Sequence, residues 1–166
     1  MTSNTLVLHH YSDKSDFQWD AGQMCGDIPG RKPGGLWLSD DSKQEGWLSV
    51  CRHVFEDAKL RYQYQHECVV ALDRILWLQT RAAMERFNSN YGAVDKPEAC
   101  LHIDWGRVKD DYGGILIIPF HPSLSKQKPF YDWYRFDCAS GCIWDRACLV
   151  RVTSGIKTKF PWDVPE

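Results

Sequence analysis

Residues 6–12, LVLHHYS, run apolar and then stop at two histidines, a tyrosine and a serine. Imidazole exchanges protons near neutral pH, and its bare nitrogen accepts hydrogen bonds from hydroxyl groups. A strand closing on His9, His10, Tyr11 and Ser12 either delivers a chemical group into a cleft or ends in ordinary polar punctuation. Side chains alternate along a strand, so the two histidines face opposite ways. His10 is expected to face a cleft, and His9 to be dispensable. Two further stretches carry comparable material. GGLWLS (34–39) holds Trp37 and Ser39, and DCASGCIWD (137–145) holds Asp137 and Ser140. Trp37 also reads as a core residue, and Asp137 and Ser140 as turn residues, since D-C-A-S-G is good turn chemistry.

Other chemistries leave little trace. GxxxxGK[ST], GxGxxG, HExxH and GxSxG are all absent, which removes the common nucleotide, protease and hydrolase signatures. Seven cysteines stand at 25, 51, 68, 100, 138, 142 and 148, an odd number with irregular spacing. Cys138, Cys142 and Cys148 cluster with His121 nearby, but no C-x-x-C pair occurs and the intervals match no common zinc site. Core thiols in a reduced, cytoplasmic protein are expected, with no obligatory metal. The acid pairs Asp40-Asp41 and Asp110-Asp111 sit beside helix ends, where carboxylates are routinely structural.

At 166 residues the chain has room for one domain with a real core and is short for two. Hydrophobic residues at 43% and charged residues at 25% argue against global disorder. Aromatic residues reach 13%, stock for a bulky core or for flat faces that stack on a ring-shaped ligand. A net charge of −2 carries no global attraction to nucleic acid. The basic stretches SLSKQK and RVTSGIKTKF read as solvated surface or as a modest phosphate-contacting edge. MTSNTLVLHH lacks the features of a secretory leader, and no run approaches 18 apolar residues, so no membrane span is expected.

The elements that must position these residues follow from pattern. TLVLHH (5–10) reads as an inner strand, and about 13–35 as one long loop rich in Gly and Pro. LWLS (36–39) is a second strand. Ser42-Lys43-Gln44-Glu45 forms a capping box that opens a helix over about 43–58, with Trp47, Leu48, Cys51, Val54, Phe55 and Ala58 on one stripe. Strands are expected at about 62–72 and 75–79. Thr80 caps a helix with Met84, Phe87 and Tyr91 on one side, ended by Gly92. CLHI is a short strand, Asp104 caps a brief helix over WGRVKDDY, and ILIIPF (115–120) is a buried strand stopped at Pro119. FYDWYRFDCASGCIWD and CLVRV contain strand-like runs. The sum is an α+β single compact domain over 1–166, with small mixed or antiparallel sheets and two or three short helices.

Three segments, taken in order, resemble a known family. LHHYS resembles the first motif of the histidine-bearing ADP-ribosyltransferases, the class of diphtheria-like toxins, poly-ADP-ribose polymerases and tRNA 2′-phosphotransferases. There the first strand ends in His followed by Gly and Thr or Ser; here His10-Tyr11-Ser12 fills those positions. GGLWLS before a capped helix resembles the second motif, Gly-(Ile/Leu)-Tyr-Phe-(Ala/Ser), with Trp37 for the tyrosine and Ser39 for the small residue. SGCIWDRACLVRV is similar to the last motif, a strand of Glu-Tyr-Ile-Val-Tyr type followed by another strand. A further likeness, I-D-W-x-x-V-x-x-x-Y-x-G-I before D-C-A-S-G-C-I-W, is to microbial and phage proteins and implies a compact effector.

The resemblance implies an ADP-ribosyltransferase-like fold, NAD as co-substrate, and transfer of ADP-ribose to a macromolecular acceptor, protein or nucleic acid. Breaking the bond from ribose to nicotinamide requires stabilising positive charge on the sugar. By the same resemblance His10 bonds the ribose next to adenine, and Trp37 stacks on nicotinamide. Tyr11 adds an aromatic wall, while Ser12 and Ser39 complete the binding set. The catalytic acid is where the chain departs, because Ser140 stands at the position of the family's glutamate. Asp137 then supplies the carboxylate, or Ser140 marks a variant, or the domain is a catalytically dead one. Two other functions stay open: a non-catalytic binding or inhibitor protein on the same fold, and a nucleic-acid-processing enzyme.

Overall fold

Pairing extends the first strand beyond its apolar run. The computed structural model describes residues 4–19, 32–42, 45–93 and 101–163. In it β1 spans Thr5–Ser12 and pairs antiparallel with β3, Tyr64–Ala71, from Thr5↔Ala71 to Ser12↔Tyr64. HHYS therefore lies within the ladder and closes it, at the pair Ser12↔Tyr64. β2 is Leu36–Ser39, β4 Ile75–Trp77, β7 Gly114–Ile117, β8 Ser140–Ile143 and β9 Leu149–Lys157. These join into one seven-stranded sheet in the order β4-β7-β8-β2-β1-β3-β9. Only the β4–β7 pair is parallel. β5 (Gly92–Ala93) and β6 (His102–Ile103) form a separate small ladder. The class is α+β, as the strand-rich pattern predicts.

The capped helices form where local chemistry puts them. α3 runs Arg81–Tyr91, its Thr80 Oγ1 accepting from the Ala83 amide at 3.2 Å, with Met84, Phe87 and Tyr91 buried and Gly92 beyond its end. α4, Trp105–Asp111, is capped by Asp104, which accepts from the Arg107 amide at 3.1 Å. The first helix differs from expectation. α1 covers only Trp47–Val54, with Gly46 at its cap position and no side-chain cap from its own segment; α2, Ala58–Arg61, is separate. Tertiary bonds explain the late start. The Glu45 carbonyl accepts from the Ala139 amide at 2.9 Å, which holds that stretch against the lead-in to β8. Ser39 Oγ, on β2, accepts from the Trp47 amide at 2.7 Å and so does the work of a cap from outside the helix. Lys43 and Gln44 lie outside the described residues, as do residues 20–31 of the long loop and both Cys25 and Cys100. Leu48, Cys51 and Ala58 are buried as the stripe requires, but Val54 is exposed because the chain turns extended at Phe55.

Strand alternation sorts the core onto two sides of the sheet. One side is aliphatic, with Leu8, Leu36, Leu38, Cys68, Val70, Leu116 and Ile143. Phe17, Trp19 and Trp77 pack on it. The other side is aromatic. Trp37, Ile115, Ile117 and Cys142 meet Phe87, Trp105, Trp133, Tyr134 and Phe136 under α3 and α4. Trp133 is wholly buried and donates to Asn88 Oδ1 at 2.6 Å. Much of the aromatic surplus is core, each ring contributing roughly 1.5–3 kcal/mol through burial.

One seam interrupts the sheet. β1 and β3 share eight residue pairs, and β2 and β8 share four, but β1 and β2 share only His9↔Ser39. Past that pair the Trp37 carbonyl accepts from His10 Nδ1 at 3.0 Å, a side chain taking the place of a ladder bond.

Candidate functional site

The three segments singled out above, separated by more than a hundred residues between the first and last, become consecutive strands: β8, β2 and β1. Register decides what each side chain meets. Because His9 pairs with Ser39, His9, Tyr11, Trp37 and Ser39 share the aromatic side, and Ser140, paired with Ser39 across β2–β8, joins them. His10 and Ser12 occupy the aliphatic side with Leu36 and Leu38. The side chains of His10 and Trp37 therefore point to opposite sides of the sheet. A single wall holding His10, Trp37 and a carboxylate, which the resemblance implies, is not the arrangement found.

On the aliphatic side His10 lies directly opposite His66 of β3, their ring centroids 5.9 Å apart. Ser12 Oγ is 2.9 Å from His66 Nε2. Phe17 packs edge-on against His10 at 5.9 Å and sits 5.5 Å from His66. Burial is the main cause holding both imidazoles below their ordinary pKa, so both are neutral near pH 7. For His10 the neighbouring His66 acts in the same direction, against the opposing bond to Trp37.

On the aromatic side the hub is Asp41, just past the end of β2. Its Oδ2 accepts from the Tyr11 hydroxyl at 2.7 Å and lies 3.2 Å from His9 Nδ1, while its Oδ1 accepts from Ser39 Oγ at 3.1 Å. Burial, and then the Asp41 charge, push the Tyr11 phenol far above its usual range, so it remains a donor. The thiols of Cys51 and Cys138 are each pushed up to about 12, chiefly by burial. Neither is a thiolate nucleophile at neutral pH.

The acid positions separate further. Asp137 is exposed, at 58% of its side chain, and pairs with Lys32 Nζ at 3.6 Å. That ammonium also lies 5.2 Å from the centre of the Trp37 ring, and Phe136 packs against the same ring at 5.0 Å. Trp37 and Asp137 are thus linked through Lys32, while Ser140 is buried and donates to the Cys138 carbonyl at 3.0 Å. Two of the open clefts among the described residues border these groups. One of about 350 Å³ includes Asp40, Glu45 and Trp77. One of about 310 Å³ includes Lys128, Arg135 and Asp137.

His9, Asp41 and His66 were not singled out as site residues by pattern. Asp41 continues the period-two run Trp37, Ser39, Asp41, a signal present in the sequence but read there as helix-end punctuation. His66 has no comparable mark, since only the β1–β3 register reveals its partner. Cys142 and Cys148 fall on opposite sides of the sheet. Among the described residues no group of three His, Cys, Asp or Glu side chains could hold a metal ion, and no helix is long and apolar enough to cross a membrane. No protein-family model, curated protein or solved structure matches this chain.

Proposed function

We propose that this chain is an ADP-ribosyltransferase-like protein that binds NAD as co-substrate and passes ADP-ribose to a macromolecular acceptor, acting in the cytoplasm as a microbial or phage effector. What carries this reading is the order β8-β2-β1. Three short segments that resemble one family in sequence order are neighbours in the sheet, an adjacency that sequence order alone does not impose.

The state of His10 supports the binding role. Its Nδ1 faces a carbonyl, which can only accept, so the proton sits on Nδ1 and Nε2 keeps a lone pair for a hydroxyl group. Trp37 brings an indole to the other side of the seam for the nicotinamide end. Because the two side chains lie on opposite sides of the sheet, one ligand reaching both requires the β1–β2 seam, held by a single ladder pair and the His10–Trp37 bond, to open. Stacking on Trp37 requires Lys32 and Phe136 to yield. The carboxylate nearest the β1–β2 pair is Asp41, and Asp137 reaches Trp37 only through Lys32.

The test is labelling of a cell lysate with tagged NAD and the purified chain, alongside titration of the chain with NAD. Acceptor labelling that disappears in His10→Ala is expected. Absence of both NAD binding and labelling overturns the reading.

A second reading, a non-catalytic binding protein, draws on the state of the last motif. Ser140 is buried against a carbonyl and Asp137 is paired with a lysine, so neither stands ready as a catalytic acid. Partner capture that survives His10→Ala and Trp37→Ala, but is lost on Lys126→Glu or Lys128→Glu, is the result this reading requires.

A further inference from the structure

Between β7 and β8 the chain runs through successive tight turns that aim three charged side chains at one point. The amide of Tyr131 bonds back to Gln127, that of Asp132 to Pro129 and that of Tyr134 to Tyr131. Trp133 and Tyr134, both buried, anchor the run in the aromatic layer. Turns of this kind bring side chains three and four residues apart together. Lys128 Nζ lies 2.9 Å and Arg135 Nη2 3.2 Å from the same oxygen, Asp132 Oδ1. Arg135 Nε also donates to the Asp132 carbonyl at 3.2 Å, which fixes the guanidinium plane. The Asp132 side chain is 4% exposed, and the two cations cover it. All three line the cleft of about 310 Å³, whose wall includes Phe120, Tyr134 and Phe136. Phe120 is half-buried and packs on Tyr134 at 5.9 Å, and Tyr134 stacks on Phe136 at 5.7 Å.

One cation neutralises one buried carboxylate, so the second is surplus. Two cations on a single oxygen repel each other, and an anion in the cleft would offset that repulsion. We propose that this cleft binds a small ring-bearing phosphate monoester, the chemistry of a mononucleotide, with its phosphate on Lys128 and Arg135 and its ring against Phe120. A guanidinium has five N–H donors, and the bonds to Asp132 use two of them. What remains is the other edge of the guanidinium and a separate ammonium. Three phosphate oxygens can take both, whereas a carboxylate matches the fork that Asp132 already occupies. The volume lies at the lower end of small-ligand sites, roughly 300–1,000 Å³, which suits one ring and one phosphate rather than a dinucleotide. Asp137 stands in the same cleft but is paired with Lys32. The site is therefore distinct from the β1 histidines and does not depend on the NAD reading.

Calorimetric titration of the full chain with AMP, adenosine, inorganic phosphate and benzoate tests this. AMP should bind, and more weakly as salt is raised. Adenosine and benzoate should each bind at least about tenfold more weakly than AMP. Lys128→Met and Arg135→Gln should each weaken AMP by a similar factor, with circular dichroism unchanged. Lys128 is mostly exposed, so its variant serves even where Arg135→Gln fails to fold. Phe120→Ala should weaken AMP and leave inorganic phosphate unaffected. Adenosine or benzoate binding as well as AMP, an AMP affinity indifferent to Lys128→Met, or no binding of AMP, each overturns the site. AMP binding that is lost in His10→Ala and kept in Lys128→Met belongs to the β1 histidine and overturns it too.

Discussion

Asp41 gathers three donors from three positions on two strands, and its loss should be felt as stability before it is felt as function. Tyr11 is buried, and without Asp41 its hydroxyl has no carboxylate to bond. Leaving a buried hydroxyl unpaired costs about 1–3 kcal/mol. Asp41→Ala should lower urea-unfolding stability within that range, and Tyr11→Phe combined with it should cost less than the sum of the two single changes. Additive costs would show that the two side chains act independently. At this scale alternation alone separates His9 from His10. It could not say which histidine shares a side with Trp37, because that follows from the pairing of His9 with Ser39, thirty residues away. The histidine beside Trp37 and Ser39 is His9, the one expected to be dispensable.

Among the elements, β2 depends on how closely its entry lies against β8. Gly35 has φ of 153°, and a Cβ there would sit 2.6 Å from the Ile143 carbonyl oxygen and 2.8 Å from Cys142 Sγ. The first of these is backbone in the middle of the sheet and cannot swing aside. Gly35→Ala should destabilise the protein by about 2 kcal/mol or more, read as a lowered thermal midpoint. An unchanged midpoint would mean that β2 shifts freely on β8. The glycine was visible in GGLWLS, but its reason was not, since the obstructing strand lies a hundred residues on. Thr80 and Asp104 were legible as caps because a cap bonds an amide three residues away. The capping box at Ser42 was overridden by Ser39 and Ala139, which reach the same stretch from other parts of the fold.

For the whole molecule, the two buried imidazoles couple folding to pH. Their folded-state pKa values lie below the unfolded value of 6.5, mainly through burial, with the bond to the Lys14 carbonyl and then the Asp16 charge opposing the effect at His66. Below pH 6.5 the unfolded chain therefore binds more protons than the folded one, and stability falls on acidification. The contribution is whole above 6.5 and is lost as pH drops through the folded-state values. Urea midpoints at pH 7.5 and 5.5 should differ more in the native sequence than in His66→Gln. Equal differences would place the acid sensitivity in other groups. A net charge of −2 adds little self-repulsion that could mask this dependence.

Local pattern determined the α+β class, the span of β2, both capped helices and the alternation of His9 with His10, because each depends on neighbours a few residues apart. Tertiary structure alone decided that β8, β2 and β1 lie side by side, that His10 and Trp37 point to opposite sides, that His66 accompanies the first and that Asp41 lies on the side of the second. Strand order and register are set by packing among distant segments, and moving a register by one residue exchanges every side chain between the two sides of a sheet. LHHYS specified two histidines facing apart; the ladder of β1 with β2 and β3 specified what each of them meets.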